Sequence, residues 1–245
     1  MTAHRHYARA PITEALIDIQ VDLPAEIELK DLEAIQAAIK TEYPGRRTRL
    51  TLRGEFSAGE QAGATARQKT MGYLFYSPDE RQVFQARLDG FTYSRLAPYQ
   101  NWESLRDEAI RLWQRYRTVT QPTKVKRVAV RYINQINIPQ LSVDFKDYFR
   151  TFPEISPDLP QGLSEYLMRL AVPQEDLKAT LILTQAMVPP PQPDTVSVLL
   201  DIDLFIDNVA FASETELWAL LEAFRARKNE FFEGCITDET RRLIN

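Results

Sequence analysis

The chain has 245 residues, 44% hydrophobic and 26% charged, with a formal net charge of -4, the composition of an ordinary globular chain of one large domain or two joined halves. Its acidic balance argues against nucleic acid as a partner, since phosphate backbones select basic surfaces. One cysteine, Cys235, excludes an intrachain disulfide, and no apolar run approaches the roughly 18 residues of a membrane helix. The N-terminal "MTAHRHYARAP" lacks the apolar core of a signal peptide, so the expected location is cytoplasmic.

In "ITEALIDIQVDLP", Ala15, Ile17, Ile19 and Val21 alternate with Glu14, Leu16, Asp18 and Gln20, the period of a half-buried strand. Leu29, Leu32, Ile35, Ile39 and Tyr43 then recur at helical spacing until "YPGRR". Three strand-like runs follow: "RRTRLTLRGEF", "TMGYLFYSP" beyond the polar loop "SAGEQAGATARQ", and "QVFQARLDGFTYSRL", in which Gly90 suggests a bulge. "NWESLRDEAIRLWQRYRTV" restores helical spacing behind Asn101 as N-cap.

The second half repeats this order. "KVKRVAVRYINQINIP" is a strand, "DFKDYFR" a short helix, and "SEYLMRLAVP", "DLKATLILTQAMVPP" and "TVSVLLDIDLFID" are strands. A last helix begins at Ser213, which has capping-box spacing to Glu216, and runs to about Glu233. The predicted fold is therefore α+β: pseudo-duplicated βαβββα units over residues 1–123 and 124–245, without a residue-by-residue repeat. Each unit forms an antiparallel sheet with its long helix on one face, and paired edge strands join the units into one saddle or partial barrel.

Parity along the strands predicts what the helix-free face carries. Val128, Val130, Tyr132, Asn134, Ile136 and Ile138 share one side of their strand, while Arg127, Ala129, Arg131, Ile133 and Gln135 share the other. On the last strand, Asp201, Asp203, Phe205 and Asp207 oppose Val198, Leu200, Ile202 and Leu204. Glu14, Asp18, Arg127, Arg131, Asp201 and Asp203 are thus the candidate ligand- or partner-binding residues. Three uses fit them: a solvated salt-bridge layer, an arginine cleft for an anion, or an interface, favoured by Leu16, Ile133, Leu199 and Phe205 among the charges.

The materials for several chemistries are missing. Both histidines, His4 and His6, lie in the N-terminal tail, so no catalytic residues are assigned to triads or zinc sites. None of the eight glycines forms a phosphate-binding loop, and no cofactor is implied. The carboxylates of "DID", Asp201 to Asp203, share a strand face at a spacing that a divalent ion accepts, but exposed strands carry this pattern commonly and no metal site is assigned. The aromatics of "GYLFYSPDERQVFQARLDGFTYSRLAPYQNW" read as core rather than as a base-stacking platform.

"YARAPITEALIDIQV", "GFTYSRLAPYQNWE", "VRYINQINIP" and "LLDIDLF" with "ITDETRRL" together resemble a sporadically distributed bacterial family of uncharacterised proteins of about this length. The resemblance spans nearly the whole chain and marks Pro11, Glu14, Phe91, Tyr99, Trp102, Arg131, Tyr132 and Asn134. It implies no activity or catalytic residue. The expectation is a non-enzymatic binding protein whose charged sheet face meets protein partners or a second copy, as a homo-oligomer. The alternative is a sensor or enzyme for a small anionic or phosphorylated ligand, with metal assistance.

Overall fold

The computed structural model describes residues 5–57, 63–208, 211 and 213–245, with side chains left out of account at 52–57 and 63–67. His4 and the tip of the polar loop at 58–62 lie outside the described residues. The elements run β1 (Ile12–Asp22), α1 (Leu29–Ile39), β2 (Gly45–Ser57), β3 (Gly63–Tyr76), β4 (Gln82–Arg87), β5 (Gly90–Leu96), α2 (Trp102–Thr120), β6 (Lys124–Ile138), α3 (Phe145–Tyr148), β7 (Leu167–Gln174), β8 (Ala179–Val188), β9 (Val196–Asp207), α4 (Glu214–Cys235) and α5 (Asp238–Ile244).

The strands form one nine-stranded antiparallel sheet in the order β2-β3-β4-β5-β1-β6-β9-β8-β7. It is an α+β fold with an open sheet, so it does not close into a barrel. β1 and β6, the first strands of the two halves, pair with each other, with Leu16 opposite Arg131 and Asp18 opposite Ala129.

Two readings of the sequence change. "QVFQARLDGFTYSRL" is not one bulged strand but a hairpin in which β4 turns through Leu88 and Asp89 into β5, pairing Arg87 with Gly90. The first half therefore carries one strand more than the second. A Cβ on Gly90 would stand 2.5 Å from the Ile19 carbonyl oxygen and 2.8 Å from the Arg87 guanidinium, so glycine makes room for both. β2 and β3 also extend well into the polar loop expected between them.

The core lies on the helix-covered face. Ala15, Ile17, Ile19 and Val21 of β1 join Val128, Val130 and Tyr132 of β6 and Leu200, Ile202 and Leu204 of β9, all buried in one cluster with Leu32, Leu105, Leu112, Leu221 and Phe224 of the helices. Phe75, Phe84 and Phe91 contact one another across adjacent strands at centroid separations of 5.6 and 5.4 Å, so these strand aromatics fill the core. α2 starts at Asn101, whose side chain accepts from the Ser104 amide, and α4 starts at Ser213, which accepts from the Glu216 amide. No described helix is long and apolar enough to cross a membrane.

Candidate functional site

The helix-free face centres on β1, where Asp18 is buried although it points away from the helices. Its carboxylate accepts from Arg87 Nη2 at 2.9 Å, Thr92 Oγ1 at 2.6 Å and Arg127 Nη1 at 3.3 Å. Sheet order explains the convergence: Thr92 stands opposite Asp18 on β5, Arg87 reaches it from β4, and Arg127 from β6. Burial alone would weaken the charge on Arg87, but Asp18 and Asp89 raise its pKa above the ordinary value.

Arg127 extends the network to β9. It donates through Nη2 to Asp203 at 3.1 Å, while its guanidinium carbon sits 4.3 Å from the Phe205 ring centroid. Asp203 is largely desolvated, and this burial raises its carboxyl pKa even though Arg127 and Arg131 act in the opposite direction. Arg131 grips Asp201 with both arms of its fork, Nε at 2.9 Å and Nη2 at 2.5 Å. With Asp201 held in this way, the carboxylate pair at Asp201 and Asp203 is committed to arginines. Among the described residues no three side chains of metal-ligating type converge.

Five of the six candidate residues thus form two hydrogen-bonded groups, Asp18–Arg127–Asp203 and Arg131–Asp201, which act on each other through their charges. Glu14 is the sixth; it forms no ion pair among the described residues and only adds to the field around Arg131. Sequence reasoning missed Arg87, Thr92, Arg49 and Gln85. The Asp-Gly pair at 89–90 is a hairpin signal, and reading it so would have put Arg87 and Thr92 on the face of Asp18.

Asp18, Arg87, Thr92, Arg127, Arg131 and Asp203, but neither Glu14 nor Asp201, line a concavity of about 440 Å³ together with Leu16, Gln20, Arg49, Gln85, Asp89 and Ala129. Four arginines and three aspartates face it. Arg87, Arg127 and Arg131 each have a carboxylate partner. Arg49 has none among the described residues: it crosses β3 at Gly72, which offers no side chain, and donates to the Gln85 amide oxygen at 2.5 Å. Among the described residues that line this concavity, it is the cation that no carboxylate neutralises.

A larger concavity, about 570 Å³, lies on the helix side between Tyr43, Gln82, Arg95 and Glu108. Tyr43 donates to Glu108 at 2.7 Å and Arg111 forks onto the same carboxylate at 2.7 and 2.8 Å, while Arg95 donates to the Gln100 amide oxygen at 3.1 Å. The sheet-face concavity is the better candidate despite its smaller volume, because it gathers four arginines where the helix-side one has two. The chain matches no family model and no curated protein.

Proposed function

We propose that the protein is a binding module whose helix-free sheet face receives an acidic segment of a partner protein, with Arg49 supplying the cation that meets it. The observation that carries this reading is the asymmetry of the site: three arginines are neutralised by aspartates within the sheet, and Arg49 is left facing the concavity with only an amide partner. A carboxylate is the complement of such a guanidinium. Leu16, Ile133, Leu199 and Phe205 are part-exposed on the same face, and a polypeptide would use this apolar margin where a free small anion would not.

A small carboxylate or phosphate ligand is the second reading, favoured by the polar walls that Thr92, Gln20 and Gln85 give the concavity. Selection from an unbiased peptide display library separates the two. The expected result is enrichment of sequences rich in Asp and Glu, bound about tenfold more weakly by Arg49→Gln, the loss of one charge-assisted hydrogen bond, and more weakly still at high salt. Failure to enrich acidic peptides, together with stabilisation by inorganic phosphate that Arg49→Gln removes, would transfer the site to the small-anion reading.

A further inference from the structure

The sheet has two free edges of opposite character. β2 presents Arg46, Arg47 and Arg49, a charged margin of the kind that discourages strand addition. β7 presents Leu167, which is 74% exposed, and Leu170, which is 39% exposed.

Which backbone groups β7 offers follows from its pairing. The Met187 amide donates to the Tyr166 carbonyl at 3.1 Å, and the register continues from there with Met168 opposite Gln185 and Leu170 opposite Leu183. Even-numbered residues therefore bond inward to β8, and Leu167, Arg169 and Ala171 turn their N–H and C=O groups outward. Pro173 occupies the next outward position, where a missing N–H costs β8 nothing. A strand added to this edge is thus confined to the stretch before Pro173.

Arg169 holds the next outward-bonding position after Leu167, and Glu165 lies two residues before Leu167, just ahead of the first residue of β7. Both are exposed, and neither has an ion-pair or hydrogen-bond partner among the described residues. They stand two residues before and two residues after Leu167, with opposite charge. A strand with this pattern is complementary to itself: paired antiparallel about Leu167, it sets Leu167 against Leu167, Glu165 against Arg169, and Arg169 against Glu165. On the other side of the ribbon Met168 meets Tyr166, a thioether against an aromatic ring. A shift that centres the pair on Arg169 would instead oppose two arginines, so the charges select the register.

We propose that β7 is the interface of a symmetric homodimer in which the β7 strands of two copies pair antiparallel about Leu167. The two-fold axis then runs through the sheet, the sheet continues from one copy into the other, and both helix-free faces point the same way. This inference stands independently of what those faces bind.

Sedimentation at tens of micromolar protein tests it, with circular dichroism as the control for folding. The wild type is expected to be a dimer, weakened about tenfold or more by Arg169→Glu or by Glu165→Arg, each of which opposes like charges twice. Combining the two substitutions restores the opposite-charge pairs and is expected to restore the dimer. Leu167→Cys provides a second arm, because residues facing each other in a hydrogen-bonded antiparallel pair lie about 5.5 Å apart at Cα, within disulfide reach. The native Cys235 is buried, so oxidation should give one symmetric cross-link. A monomeric wild type, a dimer indifferent to both reversals, or a combined variant as weak as the single ones would overturn the proposal.

Discussion

The two faces of β1, β6 and β9 are built on the same backbone and buried by different physics. On the helix side Ile17, Val130 and Leu204 are fully covered by apolar neighbours. On the other side Asp18, Arg87 and Asp201 retain only 8, 6 and 5% of their exposure, yet no helix covers them. They are buried by one another and by the adjoining strands. The helix face gains from every atom removed from water, roughly 25 cal/mol per Å². The charged face has paid the desolvation of several ions and recovers it only while each ion keeps its partners. Loss of one member should therefore behave differently on the two faces.

The largest effects make that contrast measurable by urea unfolding. Phe91 touches Phe84, Trp113 and Tyr116, and Phe91→Ala is expected to cost about 3–5 kcal/mol through lost burial and the cavity left behind. Arg87→Met should cost a similar amount, about 3–5 kcal/mol, because it leaves the buried Asp18 without its closest cation. The faces diverge in the second step. Adding Asp18→Leu to Arg87→Met should recover most of the loss, since an apolar pair replaces an ion pair at little net cost, whereas a second truncation beside Phe91 can only deepen the cavity. If the double variant were as unstable as the single one, the charged layer would hold by packing and not by mutual compensation.

How far this contrast was legible in the sequence depended on which contacts carry it. Alternation in β1, β6 and β9 separated the two faces before any pairing was known, because a strand with one buried side must keep apolar residues at period two. The hairpin of β4 and β5 escaped for a physical reason. A two-residue turn moves the buried set from Phe84 and Ala86 to Phe91 and Tyr93, and a bulge at Gly90 would flip the alternation in the same way. Alternation alone cannot distinguish the two; the Asp-Gly pair at 89–90 and the strand pairing do. Arg87 and Thr92 were lost with it. Arg49 was hidden more deeply, since its place in the concavity depends on sheet order and on the bare backbone at Gly72, and neither is a property of a local pattern. Glu14 shows the converse: correct parity put it on the right face, but parity does not supply a partner.

Lys228 is a buried cation on the helix face. It lies in the apolar stripe of α4 with Phe224 and Phe232, its ammonium 3.7 Å from the Tyr132 ring centroid. Desolvation, with Arg225 nearby, pushes its pKa down to about 7, against about 10.4 in an unfolded chain. Between those values the unfolded chain holds the proton and the folded chain does not. Stability should therefore rise with pH from about 7 towards 10, and the full cost should be present at and below pH 7. Lys228→Met keeps the volume and gives the ring a thioether. It is expected to raise stability by on the order of 2–4 kcal/mol near pH 6, with the gain shrinking near pH 9. A gain that does not change with pH would mean that the amine stays charged in the core, stabilised by the ring.

Arg49 should show the smallest change in stability and the most selective change in behaviour. It is exposed, its one described hydrogen bond goes to a neutral amide, and no carboxylate is left unpaired by its removal. Arg49→Gln is therefore expected to change unfolding free energy by less than about 0.5 kcal/mol. Arg87 and Arg131 cannot separate stability from binding in this way, because Asp18 and Asp201 depend on them. If Arg49→Gln destabilised the fold as Arg87→Met does, Arg49 would belong to the compensated layer, and the concavity would have no charge left over for a partner. A wild-type melting curve with lost capture of acidic peptides would instead separate the two uses of arginine on this face: three that hold the sheet's own carboxylates, and one that faces outward.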